Sequence, residues 1–293
     1  MYGIPEDIVE YANYNIPYPV AVIGCRSTKP EMSLDCCEYD LAIFDGDFTN
    51  SRILKIGKHE IELINLPIDP KQNILALQNM VLLRNEDQFI LSSMIEAINP
   101  QIYRRILTAF GKKAIIRSLF HYERINKTLQ KQPVLSAMWL KISAYDFLEG
   151  VLALSGSRPM PLHELNQIRE IVIERRDIGD GIKVALECIG LERASRSTIS
   201  RALEGTAELN SKEYDKELTF TKIKHLLKKG MMSDCYYYIG KMGRRGLLAK
   251  NERFYGQYIK LIQISMDLTN DVQQIQRMHR CLLNASRNTL KNY

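Results

Sequence analysis

The chain has 293 residues, 45% hydrophobic and 25% charged, with a formal net charge of +6. This is ordinary globular composition, long enough for two domains or for one with a large helical addition, and it excludes wholesale disorder. No apolar stretch approaches the ~20 residues needed to span a bilayer, and Met1-Tyr2-Gly3-Ile4-Pro5-Glu6-Asp7 lacks the basic-then-apolar order of a secretory signal, so no membrane partner and a cytoplasmic address are expected.

In chain order, Asp7 to Asn13 reads as a short helix behind Pro5-Glu6. Tyr18 to Gly24 reads as a buried strand through Val20, Val22 and Ile23, ending in Gly24-Cys25-Arg26-Ser27. After a variable spacer, Glu38-Tyr39-Asp40 opens a second apolar run, with a central strand predicted from Asp40 to Asp45. Gly46-Asp47 with Thr49-Asn50 supplies a turn. Arg52 to Ile56 is a third strand, Gly57-Lys58 a tight hairpin, and His59 to Leu66 its partner, stopped by Pro67. From Lys71 the pattern becomes helical: Ile74, Leu75, Leu77, Met80, Val81 and Leu82 have helix spacing, as do Phe89, Ile90, Met94, Ile95 and Ile98. Helices follow at 102–110, 114–129, 134–154, 162–175 and 181–188, a polar loop at 205–215, and helices at 220–229, 233–242, 254–267 and 269–290. The predicted class is α+β: a small mixed-sheet domain over 1–85, then a larger all-α domain over 86–293.

Strand side chains alternate, so Glu38 and Asp40 share one side and Tyr39 points away. Two crowded carboxylates repel unless a cation lies between them, and a divalent ion with oxygen ligands is the usual solution. A glycine turn before such a pair is what a metal-assisted phosphate site requires. The same residues also fit a turn glycine and a charged strand edge. The order of strand, glycine turn, spacer, acid pair, strand, hairpin and acidic strand favours the site.

That order resembles the signature of the polymerase-β-type nucleotidyltransferase superfamily. Gly24 stands at the family's glycine, Arg26 at the arginine of its Gly-Ser-Arg variant, and Glu38 and Asp40 at its acid pair. The third carboxylate would come from the strand His59 to Leu66. Glu62, framed by Ile61 and Leu63, fits best, and Glu60 on the same face competes. Cys25 replaces the family's Gly or Ser, and Glu38 its commoner Asp. The resemblance implies a magnesium or manganese cofactor on Glu38, Asp40 and Glu62, a nucleoside triphosphate substrate, and transfer of a nucleoside monophosphate to a hydroxyl. The turn Gly24, Cys25, Arg26 and Ser27 would steady the phosphates. The helical part would correspond to the HEPN-like bundles appended to such enzymes. The alternative is the same fold with a weakened site, sensing nucleotide or docking a partner. A homo-oligomer is compatible with either.

Residues 1–85 carry 7 Lys/Arg against 12 Asp/Glu, a net −5, and residues 86–293 carry 33 against 22, a net +11. The basic part makes RNA a candidate partner. Lys222, Lys224, Lys228, Lys229, Lys241, Arg244, Arg245 and Lys250 surround Tyr236-Tyr237-Tyr238, a pattern that can hold bases and phosphates but is better read as a buried helical turn with solvated charges. The terminal helix, with Arg277, His279, Arg280, Arg287 and Lys291, reads as a solvated face. Arg158 and His163 resemble the Arg-x(4–6)-His motif of HEPN ribonucleases, but Pro159 and Pro161 keep them off one continuous helix. No P-loop, nucleophile elbow or dinucleotide fingerprint is present. The six cysteines are irregularly spaced and read as reduced and structural, except Cys25, expected at the mouth of the phosphate turn and reactive there.

Overall fold

The computed structural model describes residues 3–27, 36, 38–45, 52–66, 74–77, 79–84, 99–174, 176–210 and 213–293. Two compact units divide the chain, Met1–Ile106 and Leu107–Tyr293. The class is α+β, with a mixed sheet in the first unit and a larger helical second one.

In the first unit, α1 (Glu6–Asn15) precedes β1 (Val20–Ile23), β2 (Glu38–Ile43), β3 (Arg52–Ile56), β4 (His59–Asn65), the short α2 (Ile74–Leu77) and β5 (Val81–Arg84). The sheet order is β3-β4-β2-β1-β5. β2 and β4 pair in parallel, while β1 pairs antiparallel with β2 and β5, and β3 with β4. Alternation gives each face its own apolar cluster. On one face Val20, Val22, Tyr39, Leu41, Ile61 and Leu63 pack with Ile8 and Ala12 of α1 and with Ile16 just beyond it. On the other, Ala21, Ile23, Ala42, Phe44 and Leu66 pack with Leu77 of α2.

Two expectations are corrected here. β2 begins at Glu38 instead of Asp40, because its parallel ladder with β4 already includes Glu38. Met80, Val81 and Leu82, read as helical, lead into and form strand β5, which covers the free edge of β1. A short apolar run carries no period that separates strand from helix, and the unpaired edge decides. The predicted turn at 46–50 and the helical pattern at 89–98 lie outside the described residues.

Beyond the sheet lie α3 (Pro100–Thr128), α4 (Pro133–Leu154), α5 (Glu164–Glu174), α6 (Arg176–Ile189), α7 (Arg196–Leu209), α8 (Glu213–Lys228), α9 (Met232–Leu248), α10 (Glu252–Gln257), α11 (Ile259–Met266) and α12 (Val272–Asn292). α3 is one helix where two were expected. Gly111 does not break it, because a side chain there would strike the Gly150 carbonyl and Leu154 of α4. The expected loop from Gly205 is instead the end of α7, where Gly205 lets the helix approach Ser265 of α11. Both glycines serve close helix contact, which sequence alone does not distinguish from a helix stop. None of the described helices is long and apolar enough to cross a membrane.

α4 is buried nearly all round and packs against α5, α6, α11 and α12. It nevertheless carries Asp146 and Glu149, and cationic partners from two other helices meet them. Arg117 of α3 reaches Asp146 at 3.0 Å and Glu149 at 3.1 Å. Lys241 of α9 lies 2.9 Å from Glu149 and is bonded to Glu164 of α5, while Arg244 pairs with Asp146 and lies 3.4 Å from Glu149. The Tyr237 hydroxyl donates to Glu164 at 2.6 Å. The tyrosine run is thus buried as expected, but Lys241 and Arg244 are not solvated; they neutralise acids inside the bundle. His279, expected on a solvated face, is buried as well.

Burial pushes the Asp146 carboxyl up, but His121, Arg244 and Arg117 outweigh it and hold the group below its ordinary 3.8. Burial likewise opposes Glu149, and Lys241 and Arg244 hold it below 4.5. A carboxyl depressed in the folded state adds stability above its unfolded pKa, and that stability is lost as pH falls through the folded value. The bundle is therefore expected to lose stability progressively on acidification below about pH 4.5, monitored by far-ultraviolet circular dichroism. Asp146→Ala removes an acid shared by Arg117, Arg244 and His121 and should cost about 3 kcal/mol in a urea titration.

Candidate functional site

Strand register brings the acidic residues together. Asp40 lies opposite Glu62 in the parallel β2–β4 ladder, and Glu38 lies two residues earlier on the same face of β2. That face is the one whose far end carries Ala42, Phe44 and Leu77, so the acids occupy the start of the strands and the apolar cluster their finish. Carboxylate oxygens of Glu38, Asp40 and Glu62 all lie within 4.8 Å of one another. Glu38 is buried, and Asp40 and Glu62 are half-buried.

The competitor Glu60 does not join this set. It sits opposite Glu38 in the β2–β4 ladder, but the antiparallel β3–β4 ladder also sets Lys55 beside it, whereas Glu62 faces Ile53. Opposite charges across neighbouring strands attract, so Glu60 has a cation at its flank and Glu62 does not have one at the same register position.

The glycine turn closes the group from the β1 side. Ile23 pairs with Asp40, and Gly24 follows with φ of 77°, a left-handed conformation that other residues adopt at a cost of roughly 1–2 kcal/mol. A Cβ on Gly24 would run into the Asp40 carboxylate. The glycine therefore meets two demands, a positive φ and backbone contact with an acid.

The rest of the turn is placed differently from expectation. Arg26 donates to the Cys36 carbonyl and lies 5.0 Å over the Tyr39 ring. Tyr39 belongs to the face packed on α1, opposite Glu38 and Asp40, so this contact of Arg26 is with the far side of the strand. Ser27 is buried and its hydroxyl donates to the Gly24 carbonyl at 2.8 Å, which closes the turn and occupies the donor expected for phosphate. Cys25 is buried instead of lying at an open mouth. Its thiol is pushed well above the ordinary range, first by a hydrogen bond with Cys36, then by burial, and further by the charges of Asp40 and Glu38. The expected reactive thiol is thus corrected to a protonated, packed one. Tyr39 and Cys36 were not foreseen as partners of the turn, because nothing local marks residues ten or more positions away as contacts.

An all-oxygen set of three carboxylates suits magnesium or manganese, since a hard cation among them removes their mutual repulsion. Three like charges at this spacing repel by roughly 3 kcal/mol per pair at an effective dielectric of about 20. The close seating of Gly24 on Asp40 also leaves backbone, without a side chain, beside the acids. The residues present therefore fit a divalent metal. Family models, curated proteins and solved structures were all compared with the chain, and none matched.

Gly24→Ala is expected to destabilise the first unit by at least about 1–2 kcal/mol and to weaken manganese binding, measured by urea denaturation and by electron paramagnetic resonance titration. Cys25 should resist iodoacetamide in the folded protein and react only after unfolding, as read by peptide mass mapping; rapid labelling under native conditions would contradict its burial.

Proposed function

We propose that the first unit transfers a nucleoside monophosphate from a nucleoside triphosphate to a hydroxyl acceptor, with pyrophosphate as the leaving group. The observation that supports this is the meeting of Glu38, Asp40 and Glu62 within 4.8 Å beside the Gly24 elbow. A magnesium or manganese ion held by these acids would neutralise the triphosphate and stabilise charge on the attacking and leaving oxygens. Glu38 and Asp40 lie on one face of β2, Asp40 fixed by ladders on both sides and Glu38 by the β4 ladder, and both serve as ligands. Glu62, half-buried on β4, takes the proton of the acceptor hydroxyl as its oxygen bonds to the α-phosphorus and the bond to pyrophosphate breaks. Gly24 keeps the approach to Asp40 free of a side chain.

One set of observations favours a second reading, the same site acting as a nucleotide sensor without turnover. Arg26 is engaged with Tyr39 and the Cys36 carbonyl, and the Ser27 hydroxyl with Gly24, so two groups expected on phosphate are already committed. The two readings share nucleotide binding and differ in turnover.

Magnesium-ATP is expected to raise the melting temperature of the wild-type protein, and this stabilisation should disappear in Asp40→Asn. Pyrophosphate release, followed by a coupled phosphate assay across a panel of acceptors, should occur in the wild type and fall about 10³-fold in the same variant. Stabilisation without release in the wild type favours the sensor. No stabilisation by any of the four magnesium nucleotides removes both readings.

A further inference from the structure

The outer surface of α3 carries a feature unrelated to the acid site. Residues 113–131 hold five Lys/Arg against one acid, Glu123. Lys113, Arg117, Phe120, Arg124 and Lys127 recur at intervals of three and four, so they form one stripe along the helix. Lys113 to Lys127 span fourteen helical steps, so the stripe is about 21 Å long. In its middle Phe120 is 72% exposed, whereas Tyr103 and Tyr122 of the same helix are buried and Phe110 is half-buried. A phenylalanine this open loses the usual benefit of burial, roughly 1.5–3 kcal/mol, and its placement calls for another use.

Arg124 of the stripe is anchored on the bundle's buried aromatics, Trp139 and Tyr255 among them. The Arg124 guanidinium lies 4.3 Å over the Trp139 ring of α4, and Trp139 in turn meets His121 in a stack and Tyr255 edge-on. Arg117 is half spent on Asp146 and Glu149 yet keeps 38% of its side chain exposed. Lys113, Arg124 and Lys127 are exposed. Lys127 stands 3.6 Å from Glu123, an exposed pair of the kind that contributes little and exchanges readily for a stronger anion.

We propose that this stripe binds single-stranded nucleic acid, with Phe120 stacking on an unpaired base and Lys113, Arg117, Arg124 and Lys127 holding the phosphates on either side. Alternating cations and an open ring match a polyanion that presents flat bases at regular spacing. An anionic membrane fits less well: a helix lying in a bilayer surface needs a broad apolar face, and here Phe120 and Ile116 are isolated among cations. A duplex fits less well too, since its bases are already stacked on one another.

The test uses the full chain and a fluorescein-labelled 20-nucleotide oligouridine, read by fluorescence anisotropy. Binding is expected to weaken with salt, with a log–log slope of about −3, from ~0.7 per phosphate over four cations. Phe120→Ala should weaken binding about tenfold or more, Phe120→Trp should preserve it, and Lys113→Glu with Lys127→Glu should flatten the slope. All these positions are exposed, so circular dichroism should show folding unchanged. Retention of full affinity in Phe120→Ala and in the charge-reversal variant overturns the proposal. So does the absence of any anisotropy rise with the wild type, tighter binding to the corresponding duplex, or sedimentation with phosphatidylserine vesicles in place of the oligonucleotide. Nucleotide binding at the acid site is scored separately with magnesium-ATP, so failure of either reading leaves the other standing.

Discussion

The parallel pairing of β2 with β4 is the constraint on which the acidic site depends. Glu38 and Asp40 share a strand, but Glu62 comes from a strand more than twenty residues later, and only the ladder aligns it with Asp40. A slip of one residue would turn Glu62 to the opposite face, and a slip of two would bring Glu60 or Ile64 to the same position. What resists such slips lies on the other face. Tyr39, Leu41 and Ile43 pack there with Ile61 and Leu63 under α1, so each slip would expose apolar side chains. Beyond the strand end, the Leu66 amide donates to the Ile43 carbonyl at 2.9 Å and extends the same register. Burial on one side of the sheet thus determines which side chains meet on the other.

The two units handle buried charge in opposite ways. Inside the helical bundle Asp146, Glu149 and Glu164 are each met by a cation from another helix, and the cost of desolvation is offset by short, mutually satisfied pairs. Such a network fixes which helices adjoin which, because any other packing would strand a charge away from its partner. In the sheet, by contrast, three charges of one sign are gathered within 4.8 Å. Like charges at that spacing repel one another, and a divalent cation among them would relieve the repulsion. The turn between β1 and β2 belongs to both logics. Gly24 serves the acids, while Arg26 and Ser27 serve the turn's own packing.

Much of this was legible in the residues, and the parts that were not share a cause. Alternation put Glu38 and Asp40 on one side of a strand, Gly24 marked an elbow, and helix periodicity marked the second part of the chain, because each depends on covalent geometry within a few residues. The preference for Glu62 over Glu60 rested on flanking residues; its physical reason, Lys55 beside one and Ile53 beside the other, comes from a neighbouring strand. β5, the continuity of α3 through Gly111 and the helical end of α7 at Gly205 were misread for the same reason, since an edge to be paired or a helix to be approached is invisible locally.

The sequence by itself determined the α+β class, the acid pair and the glycine elbow, which follow from patterns along single elements. Only the tertiary structure decided that Glu62 completes the acid group, that Arg26 lies against Tyr39, that Cys25 is a buried protonated thiol and that Lys241 and Arg244 face inward. Each of these depends on what an element packs against, and a side chain's charge, reach and period are the same whether its neighbour is water, an aromatic ring or an acid.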